Sequence, residues 1–148
     1  MSHELPLASL DASELRELRE TVRDAASESG YPEGGRAREE SDTGLDADLW
    51  RLLAEEIGLA GVGLPEEIGG LGGLAEILAV AEELGATLAP VPFVSNTVLA
   101  RQILAACGET AKPYLERIAG GEIAGPAVVD TRGAWNPDAV GRTLDGDQ

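Results

Sequence analysis

The sequence predicts a mainly α protein: a helical bundle followed by the first strands of a β unit that is begun and left unfinished. Three observations carry this. Apolar residues recur at helical spacing in separate stretches up to Gly121, cap residues and glycines punctuate those stretches, and beyond Gly121 the pattern changes to that of extended chain. A chain of 148 residues holds one domain with a real core and not two well-developed ones. Residues 1–121 are therefore expected to form the helical domain, with a flexible connector at 30–44, and residues 122–148 the start of an incomplete β-domain.

The first predicted helix spans residues 11–29, with Leu15, Leu18, Val22, Ala25 and Ala26 on one side, Asp11 and Glu14 spaced as a capping box, and Gly30 at its exit. Residues 30–44 have almost nothing to bury and read as a mobile connector. A second helix carries Leu49, Trp50, Leu52, Leu53 and Ile57, entered through Asp46 or Asp48 and ended by Gly58; its Trp predicts a deeply packed inner face. Glycines and Pro65 dominate residues 58–73, where tight turns and close approach of helices are expected.

A third helix, from Leu74 to about Leu88, places Ile77, Leu78, Ala81 and Leu84 on one stripe, with Ala75, Ala79 and Val80 making its other sides apolar. Such a helix belongs near the middle of a bundle. Pro90 and Pro92 then bias their predecessors toward extended backbone and redirect the chain. Ser95 is the expected N-cap of a fourth helix with Val98, Leu99, Ile103, Leu104 and Ala106 inward, and Thr110 the expected cap of a short fifth with Tyr114, Leu115 and Ile118. Strands are predicted at 123–130 and 139–144, with a turn at Asp145 and Gly146. Two strands without a third are marginal in water, which implies a severed sheet.

Composition narrows the function. With 27 acidic against 11 basic residues the net charge is -16, which repels nucleic acids, anionic membranes and polyphosphate cofactors. Cys107 is the only cysteine, so a disulfide within the chain and a thiolate metal cage are excluded. With no signal peptide or membrane span in evidence, a cytoplasmic location is expected.

Few residues offer chemistry. Gly61-Val62-Gly63 has Glu66 where a dinucleotide fingerprint needs its third glycine, and the element before it reads as helix. The pairs Glu39/Glu40, Glu55/Glu56, Glu66/Glu67 and Glu82/Glu83 point in different directions on a helix and read as solvated faces, not acid/base dyads. His3 stands alone near the terminus, and Cys107, at a helix end that disfavours a thiolate, reads as a small hydrophobe. No catalytic, cofactor-binding or metal-ligating residue is assigned. The stretch from Pro90 to Arg101 is more informative: prolines fix a bend, and Val94, Val98 and Leu99 have only Asn96, Thr97, Arg101 and Gln102 as polar company. That stretch is either the lining of an apolar slot or simple helix-to-helix packing.

The run from Leu52 through Leu64-Pro65-Glu66-Glu67-Ile68-Gly69-Gly70 to Gly73, followed by Ala81-Glu82-Glu83-Leu84-Gly85 and Pro90-Val91-Pro92-Phe93, resembles the N-terminal domain of acyl-CoA dehydrogenases. Thr110 to Ala124, with its Gly121-Glu122 turn, extends the likeness, which covers Leu45 to the C-terminus. In that family FAD lies between a middle β-domain and a C-terminal helical domain, and a glutamate of the latter removes the α-proton while hydride passes to flavin N5. The resemblance thus implies FAD in the complete fold, none held by this chain alone, and catalytic groups beyond Gln148. It also implies that residues 92–102, with Pro92, Phe93, Val94, Thr97, Val98, Leu99 and Gln102, form a wall of the acyl pocket. Its implied partners are acyl-CoA, the missing β- and C-terminal domains or a partner subunit, and a homo- or hetero-tetramer.

Three functions remain open on sequence: the N-terminal portion of such an enzyme, inactive alone; a non-catalytic helical subunit that docks onto a partner flavoprotein through an exposed apolar face; and a free ligand-binding bundle.

Overall fold

In the computed structural model, residues 10–34 and 43–136 are described, and the first element is α1 (Ala12–Glu28). Its start is the predicted capping box. The Asp11 carboxylate accepts from the amides of Ser13 (2.7 Å) and Glu14 (3.0 Å), while the Glu14 carboxylate accepts from the Asp11 amide at 2.8 Å. The Glu14 and Ser13 amides hold the Asp11 carboxyl below its ordinary range. A depressed carboxylate pKa stabilises the helix above the unfolded value, and that contribution is lost as pH falls through the folded one. Val22, Ala25 and Ala26 are buried on the inner face.

Just past α1 the connector reading needs correction. Tyr31 is a core residue, 3% exposed, and its hydroxyl donates to Asp46 at 2.7 Å. The sequence offered one aromatic among glycines and charges, and its burial depends on an acceptor fifteen residues away. The rest of the connector, residues 35–42, lies outside the described residues.

Asp46 also accepts from the Leu49 amide at 3.0 Å and so caps α2 (Ala47–Arg51), which continues as a π-helical turn over Leu52–Glu56. Gly58, at φ +85°, ends it in the left-handed region that glycine reaches without steric penalty. Trp50 is buried as predicted, and its indole N–H donates to the Gly121 carbonyl at 3.0 Å, tying the second helix to the far end of the bundle.

Residues 58–73 fold as two 3-10 turns, Leu59–Gly61 and Glu66–Ile68, joined by a parallel bridge between Val62 and Leu71. The expected close approach is backbone against backbone. A Cβ on Gly70 would lie 2.0 Å from the Leu64 carbonyl oxygen, and one on Gly61 2.6 Å from that of Gly69.

α3 (Leu74–Thr87) packs mainly on α1, and two of its glutamates face inward. Glu76 is fully buried and accepts from the amides of Gly73 (2.6 Å) and Leu10 (2.8 Å), capping its own helix and holding the approach to α1. Glu83 is 5% exposed, and it accepts from Arg19 (3.0 Å) and from Arg23 (2.9 and 3.0 Å). The Glu82/Glu83 pair is therefore divided. Glu82 is solvated and meets Arg19 at 2.6 Å, whereas Glu83 is an interior clamp between helices, which corrects the solvated-face reading. Leu78, expected on the inner stripe, is 58% exposed, because the buried side runs through Ile77, Val80, Leu84 and the two glutamates.

After Pro90 and Pro92 the chain enters a π-helical stretch, Val94–Ala100, that continues as α4 (Arg101–Ala106). Ser95 does not cap it; it is the second residue of the stretch, and its hydroxyl donates to the Pro92 carbonyl at 3.1 Å. A 3-10 turn, Gly108–Ala111, leads into α5 (Lys112–Ala119), whose start has no side-chain cap, since the Thr110 hydroxyl donates back to Cys107 at 3.2 Å. Leu115 and Ile118 are inward as expected, while Tyr114 is 54% exposed. Cys107 is exposed.

The exit segment is extended, with a tight turn at Thr131 to Gly133. The Asp130 amide donates to the Ala134 carbonyl, the Asn136 amide to that of Val128, and Val129 forms an antiparallel bridge with Trp135. This single bridge is the β-pairing found where a strand over 123–130 was expected; the expected strand at 139–144 and the turn at Asp145 lie outside the described residues. One core joins α1, α2, the Leu59–Val62 turn, α3 and Phe93.

Gly70→Ala is expected to destabilise the chain by about 3 kcal/mol or more, since backbone must move to admit the methyl group. Gly85→Ala meets nothing within 4 Å in α3 and should stabilise by up to about 1 kcal/mol. Urea unfolding of the two variants checks both signs.

Candidate functional site

The site expected from the sequence is the stretch after Pro92, and the structure turns it over. An α-helical period would place Val98, Leu99, Ile103, Leu104 and Ala106 inward. Instead Asn96 and Thr97 are fully buried and Arg101 is 1% exposed, while Val94, Leu99 and Ile103 are 54%, 40% and 47% exposed. The polar Asn96, Thr97 and Arg101 share the inner face with Phe93 and Ala100, with Val98 packed against the core, while Val94, Leu99 and Ile103 form an outer ridge.

The π-helical turns explain the geometry. In a π-helix the amide of one residue bonds the carbonyl five before it, so residues five apart stack on one side. The Arg101 amide donates to the Asn96 carbonyl in this way. Val94 and Leu99 are five apart, and so are Asn96 and Arg101; with the return to α geometry, Ile103 follows Leu99 by four. A uniform period of 3.6 residues per turn cannot describe both faces.

The inner face is fastened at two points. Asn96 Oδ1 accepts from the Ala124 amide at 2.7 Å, holding the exit segment, and the Arg101 guanidinium donates from Nη1 to the Val62 carbonyl. Asn96 Nδ2, Thr97 Oγ1 and Arg101 Nη2 are enclosed and have no hydrogen-bond partner among the described residues. Burial pushes the Arg101 pKa down to about 10. It remains a cation at neutral pH, so the folded state carries the cost of desolvating it; stability on this account rises only as pH climbs through about 10 toward the unfolded value.

The predicted wall residues are thus divided. Phe93 is buried in the core, and Val94 is exposed. Both line a groove of about 910 Å³ with Pro32, Ala81, Leu84, Gly85, Leu88, Pro90 and Val91, mostly apolar, with Glu33 at its edge. Leu99 and the exposed Gln102 lie farther along the helix, Val98 is half-buried against the core, and Pro92 is half-buried with its carbonyl accepting from the Asn96 amide at 2.8 Å. Thr97 faces away from the groove side of the ridge, into the interior. Sequence reading missed Leu88, Pro32 and Ile103 as surface apolar positions. For Leu88 the missed signal is its left-handed backbone, φ +54°, which puts it beyond the end of α3.

Among the described residues no three His, Cys, Asp or Glu side chains gather as a metal set, and no helix is long and apolar enough to cross a membrane. The helical bundle, the glycine turns and an apolar surface at the proline bend define a domain that presents a greasy face beside a groove.

Comparison with known proteins agrees with that architecture. The family model described as acyl-CoA dehydrogenase, N-terminal domain, matches residues 12–122, and the chain belongs to the acyl-CoA dehydrogenase family. The match starts at α1, which the motif resemblance beginning at Leu45 had left out. The acyl-CoA dehydrogenase IpdE2 of Mycolicibacterium smegmatis is 45% identical over 130 residues, covering 86% of this chain and 39% of that protein. IpdE2 of Mycobacterium tuberculosis is 40% identical over 126 residues, covering 84% of this chain and 39% of that protein. The chain thus spans 39% of the length of these relatives. Among solved structures, a variant of the Tcur3481–Tcur3483 steroid ACAD aligns over 80% of this chain and 33% of its own, with 32% identity and a TM-score of 0.70. The ChsE4–ChsE5 complex from Mycobacterium tuberculosis aligns over 84% and 35%, with 27% identity and a TM-score of 0.66.

Because Leu99 and Ile103 are only partly buried, Leu99→Ser and Ile103→Ser should each lower the unfolding free energy of the 148-residue chain by about 1–2 kcal/mol. Phe93→Ala, in contrast, is expected to cost about 3–5 kcal/mol. Chemical denaturation curves of the three variants distinguish an outward from an inward helix face.

Proposed function

We propose that this chain is the N-terminal helical portion of an FAD-dependent acyl-CoA dehydrogenase and supplies one wall of the acyl pocket together with a packing surface. The observation that carries the reading is the outer ridge of Val94, Leu99 and Ile103, continuous through Val94 with the apolar groove. A helix that turns aliphatic residues to solvent while enclosing an arginine is arranged for a surface that something apolar covers.

In this reading the flavin and the proton-abstracting glutamate come from other parts of the assembly, and α,β-desaturation of an acyl-CoA thioester is the activity of the whole. The acidic balance of the chain and the lack of a basic cradle among the described residues fit a segment that leaves the pyrophosphate and CoA to others. The chain alone is inactive and cytoplasmic. A bulky, ring-bearing acyl group is the substrate this reading favours, supported by the similarity to a steroid ACAD.

A second reading, in which the chain is a non-catalytic helical subunit docked on a partner flavoprotein, is favoured by the likeness to a two-protein complex. The two differ in whether the flavin-bearing parts are covalently continuous with this chain.

The test is a Leu99→Trp substitution in the assembled flavoprotein, assayed for acceptor reduction with octanoyl-CoA and with the CoA thioester of a steroid side chain. The expected result is a shift of roughly tenfold or more in the ratio of kcat/KM for the two thioesters. An unchanged ratio, or no oxidation of either thioester by wild type, overturns the acyl-wall assignment.

A further inference from the structure

Arg101 is difficult to explain as a stabilising residue. Its guanidinium is almost wholly enclosed, and the one hydrogen bond it makes among the described residues is to a neutral acceptor, the Val62 carbonyl. It forms no ion pair with a described carboxylate, and Nη2 stays unpartnered. A buried charge of this kind is often replaced by a well-packed apolar side chain with no loss of stability, or with a gain. What the arginine does fix is direction. It sits between Leu99 and Ile103 in sequence, and its stem and Nη1 pull the opposite side of that helix onto the Leu59–Val62 turn, as Asn96 does toward Ala124.

We propose that Arg101 is a positioning residue for the acyl wall: by fastening the inner face of the helix to the Val62 carbonyl, it sets the rotation that presents Val94, Leu99 and Ile103 to the acyl group. This deepens the reading of the ridge as an acyl wall and rests on it. Without the anchor, the inner and outer faces compete for the core, since Leu99 and Ile103 bury apolar surface as readily as any residue that replaces the arginine. The helix then has reason to roll, and the wall loses its fixed contour.

The experiment compares Arg101→Met with Arg101→Lys in the assembled flavoprotein, using whichever of octanoyl-CoA and the steroid side-chain thioester wild type oxidises. Methionine fills much of the same volume without the donor; lysine keeps one donor for the Val62 carbonyl. The expected outcome for Arg101→Met is a thermal midpoint equal to or above wild type, with KM raised roughly tenfold and kcat changed less than about twofold. Arg101→Lys is expected to recover a KM near wild type. Three results overturn the proposal: an Arg101→Met protein with unchanged KM, a clear drop in its thermal midpoint or a failure to fold, which would assign the arginine to stability, or an Arg101→Lys variant as impaired in KM as methionine. If Leu99→Trp shifts the acyl preference while Arg101→Met leaves KM alone, only the anchoring role is lost; if neither does anything, the wall reading fails first.

Discussion

Two polar contacts, Asn96 to the Ala124 amide and Arg101 to the Val62 carbonyl, fasten the side of the helix after Pro92 that faces the core, and the surface proposed for the acyl group lies opposite them. Hydrophobic burial alone would not choose this orientation. The orientation leaves Val94, Leu99 and Ile103 54%, 40% and 47% exposed while enclosing Asn96, Thr97 and Arg101. Asn96 and Arg101 are enclosed with part of their hydrogen-bonding capacity met, Thr97 Oγ1 has no partner among the described residues, and π-helical turns bring residues five apart into register. An acyl-CoA dehydrogenase domain built this way has a rigid inside that is partly polar and an outside that is partly oily.

The same inversion appears in α3, where Glu76 and Glu83 are interior and Leu78 is not. Both glutamates meet the requirement for burying a carboxylate: Glu76 accepts from backbone amides and Glu83 from two arginines of α1. These contacts do for α1 and α3 what a wider apolar seam does in other bundles. Because Arg19 and Arg23 remain partly exposed, the Glu83 clamp is weakened by salt, whereas the Glu76 caps are not.

Much of the fold was legible in the sequence where local chemistry decides it. The capping box at Asp11, a cap at Asp46 or Asp48, the stop at Gly58 and the glycine turns all follow from residues within a few positions of one another, and the deep burial of Trp50 from its size and apolar character. The misreadings share a cause. Tyr31, Glu83, Asn96 and Arg101 are buried because of partners fifteen to sixty-four residues away, and a periodicity argument has no access to those. In the stretch after Pro92 the bend itself was readable, but the buried face was not, since counting by 3.6 through a π-helical stretch puts Leu99 and Ile103 inward, where the structure has them exposed.

The two tryptophans fall in opposite environments: Trp50 is 3% exposed with its indole bonded to the Gly121 carbonyl, and Trp135 is 70% exposed on the bridge with Val129. Their fluorescence therefore reports separately on the interior and on the departing segment. Quenching by iodide should reach one indole and spare the other, so a shielded second emitter would reveal when a neighbouring body has closed over the exit of the bundle.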